Sequence, residues 1–500
     1  EFEMDTKRFE ELLLSVQKPG RYSGGEMGSV IKDKNKVDVR FAFCFPDTYE
    51  IGMSHLGMKI LYSLFNSRED IWCERVFAPW TDFEEVMRRE NIPLFALESR
   101  DNVKNFDFIG FTLQYEMAYT NILNMLDLAG VPLRSKDRKD LSPLVVAGGP
   151  CACNPEPLAD FIDLFFLGEG EEVDLEVIDL YKEYKKKGAT KEEFLKAAAK
   201  IEGVYVPSLY DVTYSENGEI TAITPKEDTP KTVKKRIIKD LDKAYYPENF
   251  VVPFIEIVHD RVVQEVFRGC IRGCRFCQAG FIYRPVREKS CDVVNSQAKC
   301  LCENSGYDEI SLSSLSTSDY TEIEPLLNKM LDWTGESHVS LALPSLRIDN
   351  FSDELLEKIN HVRKSGLTFA PEAGTQRLRD VINKNVTEEE IINTCRTAFA
   401  GGYTAVKLYF MLGLPTETDE DLKGIADLGQ RIVNEYYNLP NKPKGKSVSV
   451  SISVSTFVPK PFTPFQFEPQ IDETEIRRRQ EYLKSCITTR KIDLSMHDSS

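Results

Sequence analysis

Along the first half of the chain, short apolar runs alternate with segments whose apolar positions recur every three or four residues. Val37-Asp-Val-Arg-Phe-Ala-Phe43 alternates and reads as a strand, and residues 53–65 carry the helical spacing. Apolar runs at 93–97, 107–113, 144–147 and 162–167 predict further strands, with helical stretches between them, notably 119–129. An amphipathic helix within 5–20 precedes them and is stopped by Pro19-Gly20. Thr190-Lys-Glu-Glu193 is a capping box that opens another helix, running to Ala199. Strands alternating with helices predict a parallel sheet covered by helices on both faces. The texture then changes. Residues 204–214, an Asn217-Gly218 turn and residues 220–224 read as a hairpin, and the charged run 226–243 reads as a solvated linker.

From about 255 the pattern resumes at longer period. Strands are predicted at 261–267, 309–313, 338–343, 366–369, 405–410 and 448–455, each gap holding a helix-length segment. Thr321-Glu-Ile-Glu324 and Thr387-Glu-Glu-Glu390 are capping boxes for two of these helices. Six such units predict an open, partial (β/α)6 barrel of the TIM type. Polar groups at its strand C-termini are then the site candidates. A charged helix at 475–484 and a strand-like 491–496 follow. The expected organisation is a lead-in at 4–35, an α/β domain at 36–200, hairpin and linker at 201–250 and the barrel at 251–485. Residues 486–500 would open a further C-terminal region.

Composition narrows the class. Apolar residues make up 42% and charged residues 29% of 500, as in an ordinary soluble globular protein with two or three cores. The net charge of −17 is spread along the chain. It argues against a surface built to coat nucleic acid, although a local basic groove stays open. No apolar run approaches the ~20 residues of a membrane span, and no secretory signal is seen, so a cytoplasmic setting is expected. In that setting the 12 cysteines are expected as thiols or metal ligands and not as disulfides.

The chemistry concentrates in Arg268-Gly-Cys-Ile-Arg-Gly-Cys-Arg-Phe-Cys-Gln-Ala-Gly280. Cys270, Cys274 and Cys277 stand in a C-x3-C-x2-C spacing that can ligate three corners of a four-iron cube and leave the fourth iron open. Arg268, Arg272 and Arg275 are expected to offset the negative charge of such a cube. A closed zinc site is the alternative, but it needs a fourth protein ligand, such as Cys291. In the first half the informative loops follow strands: Asp47 to Gly57, Gln114-Tyr115-Glu116, Gly148-Gly-Pro150 and Gly168-Glu-Gly-Glu171. Ligands of doubly wound sheets bind beyond the strands' carboxyl ends, and glycines there let a ligand approach the backbone. His55 opens the first helix and is expected as a helix-terminal or core residue.

The cysteine loop, with an aromatic (Phe276) before its third cysteine, resembles the radical SAM superfamily. Residues 308–320, Leu367-Thr-Phe-Ala-Pro-Glu-Ala-Gly374, Asn383-Lys-Asn and Phe457-Val-Pro-Lys-Pro-Phe-Thr-Pro464 are similar to a family of radical SAM proteins with a cobalamin-binding-like domain. The resemblance implies a Rossmann-like N-terminal domain before the barrel, a [4Fe-4S] cluster on the three cysteines, and S-adenosylmethionine on the open iron. Cleavage of that molecule yields a 5′-deoxyadenosyl radical. By the same resemblance Phe276, Ser313, Ser314, Arg347, Glu372, Lys407 and Gly413 are the S-adenosylmethionine candidates. Asp47, Tyr49, Gly52, Gly148, Gly149, Gly168 and Glu169 are those for cobalamin. The Asp-x-His-x-x-Gly cobalt-ligand motif is absent, so any corrinoid is held without it. Three readings stand: cobalamin-associated methyl transfer on an unknown substrate, a corrinoid-free radical SAM enzyme recognising RNA or a ribosomal component, and a non-catalytic iron–sulfur protein. The enzyme readings require an external one-electron donor of the flavodoxin or ferredoxin type.

Overall fold

The computed structural model describes residues 5–342, 367–440, 442 and 445–499. The chain divides into one unit of Glu1–Asp260 with Lys299–Gly306 and a second of Arg261–Ala298 with Tyr307–Ser500.

The first unit is built on a six-stranded sheet. Its strands are β1 (Val39–Phe45), β2 (Ile71–Phe77), β3 (Phe108–Thr112), β4 (Leu144–Gly148), β5 (Leu164–Phe166) and β6 (Val204–Tyr205). Their order is β2-β1-β3-β4-β5-β6; the first five are parallel and β6 is antiparallel. Parallel strands buried on both faces read as continuous apolar runs. This is why β3 and β4 were legible as apolar runs, whereas β1 was read from its alternating start.

β2 was not. It is buried along its whole length, yet Glu74 and Arg75 sit in its middle. Both charges are neutralised inside the unit. Arg75 gives Nη1 and Nη2 to the Glu26 carboxylate at 3.0 and 2.7 Å, and its Nε to Glu98 at 2.6 Å. Glu74 accepts from Arg40 at 2.5 Å and from the Ser99 N–H at 2.9 Å. The strand expected at 93–97 is instead a buried irregular segment with a single bridge, Phe95 to Asn102. Its backbone runs beside the carboxylates that Arg75 needs.

Three further expectations change. Residues 204–205 join the main sheet as β6, and the hairpin is formed by β7 (Tyr210–Tyr214) and β8 (Ile220–Pro225). The charged segment expected as a solvated linker docks on the sheet edge. Arg236 bridges Gly168, its N–H donates to Leu167 O at 2.8 Å, and its guanidinium meets Glu172 and Glu176. The helix expected within 5–20 spans only Thr6–Leu13, capped by Asp5.

The second unit holds β9 (Val262–Glu265), β10 (Phe267–Arg268), β11 (Arg287–Glu288), β12 (Glu309–Ser313) and β13 (Ser340–Ala342). It continues with β14 (Leu367–Glu372), β15 (Ala405–Leu412), β16 (Ser449–Thr456) and β17 (Ile492–Met496). β13-β12-β9 form one parallel sheet and β14-β15-β16-β17 another. β15 alternates buried and exposed positions. Val406, Leu408, Phe410 and Leu412 pack under the helices Glu388–Ala400 and Asp419–Tyr437, as a barrel strand with outer helices must. β17 adds a parallel strand beyond the six expected. The Thr387 capping box forms in full. The one expected at Thr321 does not: Glu322 precedes the helix Ile323–Thr334, and Thr321 bonds Glu288 instead. Among the described residues no helix is long and apolar enough to cross a membrane.

Candidate active site

The cysteine loop leaves the sheet where β9 ends. Val266 N–H makes the last rung of the β9–β12 ladder, to Ser313 O at 3.0 Å, and the antiparallel pair β10–β11 then closes the loop at its base. This break explains why the strand expected at 261–267 splits in two. Gly269 opens the loop at φ +97, and a Cβ there would lie 2.8 Å from Tyr283 O, so only glycine fits.

Backbone atoms then fasten the loop on its other side. Arg275 N–H donates to Ile382 O at 2.9 Å, and Phe465 N–H donates to Arg275 O at 3.2 Å. Two amides assist: Asn383 Nδ2 donates to Gly273 O at 2.8 Å, and Gln278 Nε2 to Pro461 O at 3.1 Å. Phe276 packs against an apolar cluster of Ala373, Leu378, Ile382, Leu414, Phe457 and Phe465. The loops after β14, β15 and β16 therefore meet on the cysteine loop, and the proline-rich stretch acts as a clamp. Phe276, expected as a cofactor contact, has this packing as well. Sequence reading quoted Asn383-Lys-Asn but assigned it no task, because its partner lies 110 residues away.

Asn383 holds the loop from a left-handed backbone position, φ 55. Asn383→Ala removes a hydrogen bond and leaves alanine in that strained conformation, a loss of about 1–2 kcal/mol. The reconstituted variant is expected to release iron to a chelator about tenfold faster than wild type, measured by loss of visible absorption. An unchanged release rate would show that the contact does not secure the loop.

The three thiols are electrostatic neighbours. Burial pushes the Cys274 thiol up, Lys384 pulls it down, and Cys277, Cys270 and Glu372 push it up again. Arg272 N–H reaches Cys270 Sγ at 3.4 Å. Cys291, the candidate fourth zinc ligand, opens the helix Cys291–Ser305 and donates its N–H to Glu322; its charged neighbours are Glu322, Asp292 and Lys329. It is not part of the thiol group. Among the described residues no fourth ligand joins the three thiols of this loop, which suits a cube with one free iron better than a closed zinc tetrahedron. Of the three arginines expected to offset the cluster's charge, Arg272 feels the charge of Cys270 and Cys274, and all three also have partners in the fold. Arg268 pairs with Glu265 at 2.9 Å, Arg272 grips Asp319 with two nitrogens, and Arg275 gives its guanidinium to Val381 O at 2.6 Å. They position the loop, and two of them are neutralised by acids.

Glu372 ends β14 at φ 67, after a bulge, and faces Lys384 at 3.7 Å. Burial pushes its carboxyl up and Lys384 opposes that. Ser313 ends β12, and Ser314 shares a 2.7 Å hydrogen bond with Thr317. Gly413 donates its N–H to Glu417 at 2.8 Å. Lys407 lies exposed on β15, on the face away from the helices and over the Tyr409 ring at 4.9 Å. Arg347 falls outside the described residues. The structure thus makes electrostatic neighbours of Cys270, Cys274, Cys277, Glu372 and the unforeseen Lys384, while among the described residues no three His, Cys, Asp or Glu side chains already stand in metal-binding geometry. A cavity of about 350 Å³ opens beside the loop, lined by Ile271, Asp319 and Thr321 among others.

In the first unit the strand order reverses between β1 and β3, the switch point at which doubly wound sheets bind ligands. Asp47 follows β1 and accepts from the Tyr115 hydroxyl, which follows β3, so the two span the crevice. Asp47 is further held by Thr48 N–H at 2.7 Å. Gly149 follows β4 at φ +102, and a Cβ there would come within 2.8 Å of Leu113 O. His55 caps the helix Leu56–Asn66 by accepting Met58 N–H on Nδ1 at 3.1 Å, and burial pushes it down to about 4. It is a helix cap, as expected.

Five other cobalamin candidates have places in the fold. Tyr49 is buried, and its hydroxyl donates to Glu26 at 2.7 Å. Gly52 makes room for the Phe77 ring. Gly168 is bridged to Arg236, and Glu169 accepts the Ile238 N–H at 2.6 Å. Gly148 closes β4 by accepting Leu113 N–H at 2.7 Å.

Comparison with known proteins places both units. Residues 57–207 match the model described as radical SAM proteins, N-terminal, and residues 265–429 match that of the radical SAM superfamily. An uncharacterized protein of Methanocaldococcus jannaschii is 32% identical over 445 residues, 87% of this chain and 80% of that protein. Among solved structures, the radical S-adenosylmethionine methyltransferase TsrM of Kitasatospora setae, with cobalamin and a [4Fe-4S] cluster bound, superposes at a TM-score of 0.56. It shares 12% identity over 86% of this chain and 77% of its own. The cobalamin-dependent radical enzyme OxsB, with aqua-cobalamin bound, gives 0.52 and 13% over 95% of this chain and 62% of its own. At such identities these two speak for the fold: a Rossmann-like unit followed by a radical SAM barrel. With the cysteine loop, the barrel loops gathered on it and a relative matched over most of its length, the chain belongs to the radical SAM superfamily of enzymes.

Proposed function

We propose that the chain is a cobalamin-associated radical SAM enzyme that transfers a methyl group, or performs related C–H chemistry, on a substrate still to be found. The observation that carries this is the β1/β3 switch point of the first unit. Asp47, Tyr115 and Gly149 there border a crevice of the kind that accepts a flat ligand against backbone. TsrM and OxsB, which share this fold, hold cobalamin.

In the second unit Cys270, Cys274 and Cys277 would hold the [4Fe-4S] cluster. When bound, the cluster and S-adenosylmethionine supply one-electron cleavage to a 5′-deoxyadenosyl radical, with the electron from an external flavodoxin- or ferredoxin-type donor. The chain's own residues do the rest. Phe276 and its apolar neighbours exclude water from one side of the loop. Glu372 and Lys384, close to Cys274, offer an anion and a cation to an amino-acid moiety. Glu372→Gln is expected to weaken S-adenosylmethionine binding about tenfold, the size of one charge-assisted hydrogen bond. Equal binding by titration would remove Glu372 from that role.

The test of the whole reading is anaerobic reconstitution with hydroxocobalamin followed by desalting. Retention of one corrinoid per chain supports it. No retention assigns the first unit to another ligand and leaves a radical SAM enzyme without corrinoid.

A further inference from the structure

Within the first unit, away from the switch point, lies a cavity of about 460 Å³ along the helix Leu56–Asn66. Met53, Met58, Tyr62 and Phe250 give it apolar and aromatic walls. The polar groups on the same wall are satisfied. Tyr62 donates to Glu98 at 2.9 Å, Ser63 shares a 2.6 Å bond with Tyr245, Asn66 donates to Cys73 O at 2.9 Å, and Arg75 is held by two carboxylates.

Lys59 is the exception. It lines the cavity, is 8% exposed, and its ammonium has no hydrogen-bond partner. The nearest compensation is the face of Phe250, 4.6 Å from Nζ, and the more distant charge of Asp260. A cation–π contact restores part of what an ammonium loses on leaving water, but not three hydrogen bonds. Burial pulls Lys59 down to about 8, so the group is still mostly charged at neutral pH. A charged donor left over in a largely apolar chamber, whose lining also includes the acidic Glu248, is an arrangement that an anion completes.

We propose that this cavity is a second ligand site, which takes a small apolar or aromatic molecule bearing one anionic group, with Lys59 as its anchor. The volume suits a body of one or two rings. Carboxylate and phosphate share the chemistry the ammonium recognises.

The experiment uses the full-length chain with its cluster loaded. Binding of 2-naphthoate, 2-naphthyl phosphate and neutral 2-naphthylmethanol is followed by calorimetry on wild type and on Lys59→Met, which removes the ammonium and keeps an unbranched apolar stem one atom shorter. Expected is one saturable site for the carboxylate, the phosphate or both, at least tenfold weaker for the alcohol and at least tenfold weaker in the variant. The stronger of the two anions identifies the headgroup. A measurement on wild type alone guards against a misfolded variant. Labelling by trinitrobenzenesulfonate, mapped by mass spectrometry, should be slowed at Lys59 by the bound anion and unaffected at other lysines. Absence of saturable binding by either anion overturns the proposal. So does equal binding of the alcohol, or undiminished binding by a folded Lys59→Met.

Discussion

Anaerobic reconstitution of Cys274→Ala is expected to give no four-iron absorption and no 5′-deoxyadenosine above background. Cys274 is the most enclosed of the three loop thiols, 8% exposed, and lies between Lys384 and the other two cysteines. Its thiol is held up by burial, so it gives up its proton on ligation, when the metal supplies the charge that solvent does not. With one of three ligands gone, no other side chain replaces it: Cys291 belongs to the following helix and to Glu322. The matched control is Cys291→Ala, expected to load iron like wild type. A four-iron spectrum that survives in Cys274→Ala would remove the cluster assignment, and survival of product formation would remove the radical assignment with it.

The second large effect falls on stability. Arg75→Met should destabilise the first unit by roughly 3–5 kcal/mol, because it leaves the Glu26 and Glu98 carboxylates buried without their cation. In a unit of this size that lowers its thermal transition by roughly 10 °C. Urea unfolding followed by tryptophan emission tests it, and a wild-type midpoint would show that the network carries no stability. The pH dependence has a definite sign. Burial pushes the Glu26 carboxyl up, but Arg75 and the Tyr49 hydroxyl outweigh it and hold it at about 2 against an ordinary 4.5. Stability from this group is therefore complete above about pH 4.5 and is lost as the pH falls toward 2. Arg75→Met should lose that slope, and the triple variant Arg75→Met, Glu26→Gln, Glu98→Gln should recover part of the stability.

That network also marks where sequence reading stopped. Strands at 309–313 and the helix at 119–129 were read with their observed bounds, because each carries one uninterrupted periodicity. β2 failed because pattern reading sends Glu74 and Arg75 to the surface. The partners that let them stay inside, Glu26, Arg40 and Glu98, come from other segments. The run at 93–97 has strand-like composition, but its backbone bonds scatter over Leu128, Asp101 and Val103 with one rung, Leu97 N–H to Arg75 O, on β2, so no continuous ladder forms. The candidate site divides in the same way. Its three cysteines are local and legible. Asn383, Lys384, Gln278 and Asp319 act only through contacts across the fold, and no spacing announces them. The proline-rich stretch was legible as a stiff loop near the site, but its grip on Arg275 was not.

The way the cysteine loop is fastened has an evolutionary consequence. Its two direct main-chain ties, Arg275 to Ile382 and Phe465 to Arg275, place no demand on side-chain identity. The loops that make those ties are therefore free to diversify the surface they show a substrate while the metal-binding turn keeps its place. Specificity in this chain should accordingly be sought in the outward side chains of those fastened loops, where drift is tolerated, and not in the turn they hold.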